Sequence, residues 1–275
     1  MKTTMRTVLL FFLAALPALA ADGIAFISDM RGEVAVDGIP RPMLMSELAK
    51  GQKVAVGRDS QASVMFITSG KEYILKGPAE YLVKDTEIAG AIMPPVSRST
   101  EWRASSRVLA QVANTSAASV RMRSIATPKA EVAGATSFPA EGSVASLQPV
   151  FRWRSDPAKT EFTLLVVGQD KPVHVARNIT GGSYKVPAKL RPETEYAWVA
   201  VAGQNEIGSG KFRTLAPDAL ARIEQRRPSE RAEFSDRLMF ALLLQEMGAV
   251  QEARESWARL SQERSDLPEL SALAR

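Results

Sequence analysis

"GQKVAVGRDSQASVMFITSGKEYIL" occupies residues 51–75, and apolar and polar residues alternate through most of it. A period of two is the pattern of a strand with one buried face. Within "ASVMFIT", Ala62, Val64 and Phe66 share a face. Ser69-Gly70 supplies a turn before "EYIL". The stretch therefore predicts three short strands with turns between them. It holds no His, no Cys and no paired carboxylates, so it predicts a fold without visible chemistry.

The same pattern extends on both sides. "IAFISD" and "GEVAVDG" precede it, and "EYLVKD" and "EIAGAIM" follow, with turns at Asp37-Gly38 and Gly77-Pro78. Pro94-Pro95 is expected to end this module, because proline cannot donate to a sheet ladder. Residues 96–140 are rich in Ser, Ala, Thr and Arg and read as a basic linker. Within them "TEWRASSRVLAQV" can form a helix capped by Thr100, with Trp102, Leu109 and Val112 inward. From residue 141 to 216 the β pattern returns in "PVFRW", "EFTLLVVG", "PVHVARN", "SYKVP", "EYAWVAVAG" and "GKFRTL". So many short strands in so short a span predict a β-sandwich. Residues 217–275 change character again. Their spacing predicts helices at 217–227, 230–247 and 250–264, and a short one after Pro268.

The N-terminus bears on compartment. Lys2 and Arg6 precede the apolar run "VLLFFLAALP", and Ala18-Leu19-Ala20 offers small residues where a signal peptidase cuts. Residues 1–20 therefore read as a signal peptide cleaved after Ala20. The run is shorter than the ~20 residues a transmembrane helix needs, so no transmembrane segment is expected in the mature chain. The chain has no cysteine, which excludes both disulfides and a lipid-modified N-terminus. In an exported chain this fits a bacterial periplasmic or secreted protein. The formal charge of +5 falls to +3 once Lys2 and Arg6 are removed with the leader. A balance that small gives no reason to expect a nucleic-acid partner.

Candidate chemistry is sparse. His174, the chain's one histidine, lies in a valine-flanked strand with no cysteine or obvious carboxylate to make a metal site or a general base. Ser46 and Lys50 are four apart, but a Ser–Lys dyad needs a desolvated lysine. "GSGKF" at 208–212 lacks the first glycine of a phosphate loop and reads as a hairpin turn. Tyr196 and Trp198 share one strand face, where core packing is the expected use. Glu193 and Glu195 read as solvated loop residues. No catalytic, cofactor-binding or metal residues are assigned, and the chain reads as non-enzymatic. The candidate partner surface is the basic set Arg98, Arg103, Arg107, Arg121, Arg123 and Lys129, suited to an acidic protein or an anionic envelope polymer.

Three resemblances sharpen this reading. Leu48, Gly51-Gln52-Lys53-Val54, Gly57, Ser60, the "AxVxF" of Ala62–Phe66, Gly70 and Tyr73–Leu75, with "RGEVAVDG" upstream, resemble the FecR domain family. The resemblance covers residues 24–92 and implies a periplasmic, non-enzymatic sensing or interaction module. In the best-known members a transmembrane helix and a sigma-factor-holding segment come first. Here a leader precedes the domain, so transcriptional control by that route is not expected. "LRPETEYAWVAVAGQNEIGSG" is similar to the fibronectin type III pattern around its tyrosine corner. It implies that the Tyr196 hydroxyl caps the preceding loop, with Trp153 and Phe162 as early core aromatics. In the tail, Gly248, Ala253 and Trp257 have the spacing of a tetratricopeptide helix junction. One repeat cannot bury its own face, so this hairpin must dock on the chain or on a partner.

The expected architecture is mainly β and multidomain. A FecR-like β domain at 21–95, the linker at 96–140 and a fibronectin/Ig-like β-sandwich at 141–216 are followed by a helical, tetratricopeptide-like tail at 217–275. The expected role is an envelope protein-interaction scaffold or signalling-associated module. The alternative is a cell-wall or polysaccharide-binding module.

Overall fold

In a computed structural model, which describes residues 23–90, 94–102, 137–155, 159–229 and 231–274, the chain is mainly β with several antiparallel sheets and a C-terminal helical segment. The leader and most of the basic linker lie outside the described residues. The stretch 51–75 contributes β4 (Lys53–Val56), β5 (Gln61–Phe66) and β6 (Lys71–Lys76), three strands as its alternation predicts. They divide between two sheets. β5 and β6 join β1 (Ala25–Arg31), β3 (Glu47–Leu48) and β9 (Val96–Ser99) in the order β3-β1-β5-β6-β9. β4 joins β2 (Val34–Val36), β7 (Ala79–Val83) and β8 (Ile88–Gly90) in the order β2-β4-β7-β8. Ile27, Val64, Phe66 and Leu75 from the first sheet share a core with Val54, Val56, Tyr81 and Val83 from the second.

This first unit differs from its sequence reading in two ways. Pro94-Pro95 does not end it, because both prolines precede the ladder and Val96–Ser99 then pairs antiparallel with β6, Val96 opposite Ile74 and Ser99 opposite Lys71. Nor does β5 bury only one face. Ala62, Val64 and Phe66 face the second sheet, while Met65, on the opposite face, is also buried and belongs to a different core.

That other core is helical. The tail forms α1 (Pro217–Gln225), α2 (Phe234–Glu246), α3 (Val250–Glu263) and α4 (Pro268–Leu273). α2 starts four residues later than its periodicity predicts, after a turn in which Ala232 N–H bonds to Ser229 O at 3.1 Å. It is buried on nearly every side, through Phe234, Leu238, Met239, Phe240, Leu242 and Leu244. A helix apolar all round is a central helix rather than a surface one. Gly248, at φ +79°, turns the chain into α3, a backbone geometry that glycine adopts without strain. Ala253 and Trp257, both buried, then pack α3 on α2. Phe26, Leu44, Met45, Met65 and Ile67 of the first β unit complete this core.

The second β unit has a five-stranded sheet of β10 (Ser143–Val144), β16 (Asn205–Thr214), β15 (Glu195–Ala202), β12 (Thr160–Val166) and β13 (Pro172–Ile179), in that order. A two-stranded ribbon of β11 (Val150–Arg152) and β14 (Ser183–Lys185) lies against it. Phe151, Trp153, Phe162, Trp198 and Phe212 fill the space between the layers, with Phe151 and Phe162 ring centroids 4.8 Å apart. Tyr196 is buried and its hydroxyl accepts the Arg191 N–H at 2.9 Å. The "GSGKF" segment lies inside β16, and the turn is at Gly203-Gln204. Its glycines are structural: a Cβ on Gly210 would come within 2.1 Å of the Pro139 carbonyl oxygen.

Candidate binding cleft

The tail touches both β units, and each contact is polar as well as apolar. Against the first unit, Arg98 Nε lies 2.5 Å from Glu72 Oε2 and Arg98 Nη1 lies 3.0 Å from Asp236 Oδ2 on α2. Ser28 Oγ donates to Glu72 Oε1 at 2.7 Å, Ser235 Oγ to Glu72 Oε2 at 3.2 Å, and Trp102 Nε1 to Asp236 Oδ1 at 3.0 Å. A second latch joins the buried Arg264 to Asp29, to the Met30 carbonyl oxygen at 2.6 Å and to Asp266 at 2.7 Å. On α4, Glu269 accepts the Leu44 N–H at 3.0 Å.

Against the second unit, the first turn of α3 receives the segment 137–146. Ala140 N–H donates to Gln251 Oε1 at 2.7 Å, Ala145 N–H to Glu252 Oε1 at 2.9 Å, and Ser143 N–H to the Gly248 carbonyl at 3.2 Å. Arg152 pairs with Glu255 while its guanidinium lies 4.4 Å from the Phe138 ring centroid. The same segment is held from its other side by β16, through Lys211 N–H to Ala140 O at 2.9 Å. The tail thus bridges two β units that have separate cores.

Where the bridge does not close, a cleft of about 340 Å³ remains between α2, α3 and the stretch 138–150. Phe138, Phe240, Leu244, Pro149 and Val150 give it an apolar wall. Glu252, Glu255, Ser256 and Arg259 line it from α3, their spacing of three and four residues placing them on one helical face. Arg227, just after α1, completes the rim with its guanidinium 5.7 Å from the Phe240 ring centroid. Val150, 45% exposed, is an uncovered apolar side chain at the mouth.

The charges around the cleft differ in how far they are committed. Glu255 is held by Arg152, and Arg227 Nε bonds Glu224 Oε2 at 3.0 Å. Arg259 is exposed, and its one hydrogen bond among the described residues is a long 3.5 Å contact to Ser256 Oγ. Glu252 Oε2 is enclosed with no hydrogen-bond partner among the described residues. Burial pushes the Glu252 carboxyl above the usual carboxylate range, against the lowering effect of the Ala145 N–H.

The basic set read from the sequence fares unevenly. Arg98 is placed in the latch with Glu72 and Asp236, so its charge is spent inside the molecule. Arg103, Arg107, Arg121, Arg123 and Lys129 lie outside the described residues, as does the helix read beyond Trp102. His174 Nε2 is 2.8 Å from the Tyr184 hydroxyl and its ring stacks on Tyr184 at the sheet edge. Ser46 Oγ accepts the Met43 N–H at 2.9 Å, whereas Lys50 Nζ pairs with Asp85 at 2.7 Å, so the two engage different partners. Glu195 pairs with Lys211 at 3.1 Å and Glu193 is exposed. Tyr196 and Trp198 are core residues.

The cleft residues were not legible beforehand. Val150 and Arg259 are 109 positions apart, and each follows the ordinary alternation or amphipathic spacing of its own element. Among the described residues no helix is long and apolar enough to cross a membrane. Comparison with protein-family models gives no match, and comparison with curated proteins gives none.

Proposed function

We propose that this chain is an exported, non-enzymatic envelope protein that serves as a protein-interaction scaffold in the periplasm, with the cleft beside α3 as its partner-binding site. On this reading the first β unit is a FecR-like module and the second a fibronectin type III-like one. The bond from Arg191 N–H to the Tyr196 hydroxyl, and the buried Trp153 and Phe162, support the second assignment. The strands and turns formed by residues 51–75 support the first.

The observation that carries the functional reading is the cleft itself. Apolar walls with a few placed charges, set between two helices and a strand-bearing segment, are the makeup of a recognition site. Its test is crosslinking in the intact cell. A photoreactive residue at Val150 should yield a discrete adduct with an envelope protein. The same residue at Leu82, equally uncovered at 39% exposure but on the far sheet of the first unit, should yield none. No adduct at either position, or the same adducts at both, would remove the cleft as the partner site.

A further inference from the structure

Resting on the cleft as the partner-binding site, the geometry points to its ligand: an apolar residue bearing a free α-carboxylate, as at the C-terminal end of a peptide or protein. The half-buried Glu252 and the exposed Arg259 are seven positions apart on α3, so the cleft runs about 10 Å along that helix. An extended peptide advances about 3.3 Å per residue, so roughly three residues span the distance. Its volume of about 340 Å³ falls at the lower end of the ~300–1,000 Å³ typical of ligand sites.

Two properties of the rim select an anion. Among the described residues Arg259 makes only its long contact to Ser256 Oγ, which leaves most of its donors free. Arg227 uses Nε on Glu224 and lies over Phe240, so among the described residues its terminal nitrogens have no partner and face an aromatic wall. A guanidinium fork matches a carboxylate in geometry, and two of them can share one. The nearby acids set the charge of that anion. Glu255 pairs with Arg152 and Glu224 with Arg227, so among the described residues Arg259 is the one of the three cations without a carboxylate partner, which suits a monoanion better than a doubly charged phosphate.

The apolar requirement follows from adjacency. Phe240 and Leu244 form the floor beside the arginines and Val150 the exposed lip, so the group next to the carboxylate meets hydrocarbon. A C-terminal residue with an aliphatic or aromatic side chain carries both features on one Cα. An acidic side chain places its carboxylate at the end of a flexible arm and offers no apolar neighbour on the same carbon.

The test uses the mature chain and a set of fluorescein-labelled hexapeptides ending in Ala, Val, Leu or Phe, each as the free acid and as the C-terminal amide. Anisotropy should show binding of the Val, Leu and Phe acids, with the amides about tenfold weaker or more, the size expected for losing a charge-assisted hydrogen bond. Arg259→Gln should weaken the acids by about the same factor and leave the amides unchanged. Val150→Glu should weaken them through the apolar lip, and both variants, altered at exposed side chains, should keep the wild-type melting temperature. Free leucine as competitor separates the sources. Displacement of the peptide at comparable concentration points to a small carboxylate, and failure to displace points to a protein end. Equal binding of acid and amide, or binding of neither, overturns the inference. If Val150 crosslinks a partner while acid and amide bind alike, the cleft remains the partner site and the carboxylate assignment alone fails.

Discussion

Arg98 Nε sits 2.5 Å from Glu72 Oε2, although Arg98 belongs to the basic segment and Glu72 lies inside the β module with a side chain only 2% exposed. The same guanidinium spans to Asp236 on α2, so one side chain joins a strand, a neighbouring strand and the tail. A carboxylate buried this deeply is tolerated because Ser28, Ser235 and Arg98 all donate to it.

Removing the cation should therefore cost more than a surface ion pair. Arg98→Ala is expected to destabilise the chain by about 3 kcal/mol, the lower end of the range for breaking a buried pair, since Arg98 itself keeps some contact with water. Arg98→Ala combined with Glu72→Gln should cost less than the sum of the two single changes, because the stranded charge is gone. Urea titrations of the four proteins measure this. Additive effects would show that the two residues are not coupled.

Tyr196 and Trp153 test the second β unit. Tyr196→Phe leaves the Arg191 N–H without its acceptor and should cost about 1 kcal/mol or somewhat more. Trp153→Ala should cost about 3–5 kcal/mol, as a large truncation among Phe162 and Trp198. The same denaturant titration reads both. Negligible changes at both positions would contradict the packing described.

Glu252 gives a pH dependence of defined sign. Its carboxyl holds a proton more tightly in the folded chain than at the ordinary value of 4.5, because burial disfavours the charge. The ionised form therefore costs stability above the folded value, and that cost vanishes below the unfolded one. Glu252→Gln keeps an oxygen for the Ala145 N–H and removes the charge. It should raise the melting temperature at pH 7, with the gain shrinking as the pH falls and disappearing below about 4.5. A gain that grows on acidification would reverse the assignment.

Much of the fold is legible in local pattern. Alternation marks the strands of residues 51–75, and the Gly248, Ala253, Trp257 spacing marks the turn and contact of α2 with α3. What alternation cannot say is which covering a strand's second face receives. Met65 reads as an outward residue of β5, yet it is buried by a helix that begins about 170 positions later. β9 escaped for a related reason: "VSRS" has no apolar alternation, and its pairing depends on the free edge of β6. Arg98 reads as part of a basic partner surface because its own partners, Glu72 and Asp236, are distant in sequence. The cleft is harder still, since it exists only where the tail meets the stretch 138–150.

The tail is an integral part of the fold, and removing it tests this directly. Residues 21–216 should be compared with residues 21–275 by thermal denaturation and light scattering. Without the tail, Phe26, Met65 and Ile67 lose their cover and Glu72 loses Ser235, so the shorter chain should melt at a lower temperature and aggregate. A shorter chain that stays monomeric with an unchanged melting temperature would contradict the role given to the helices, and with it the cleft they build.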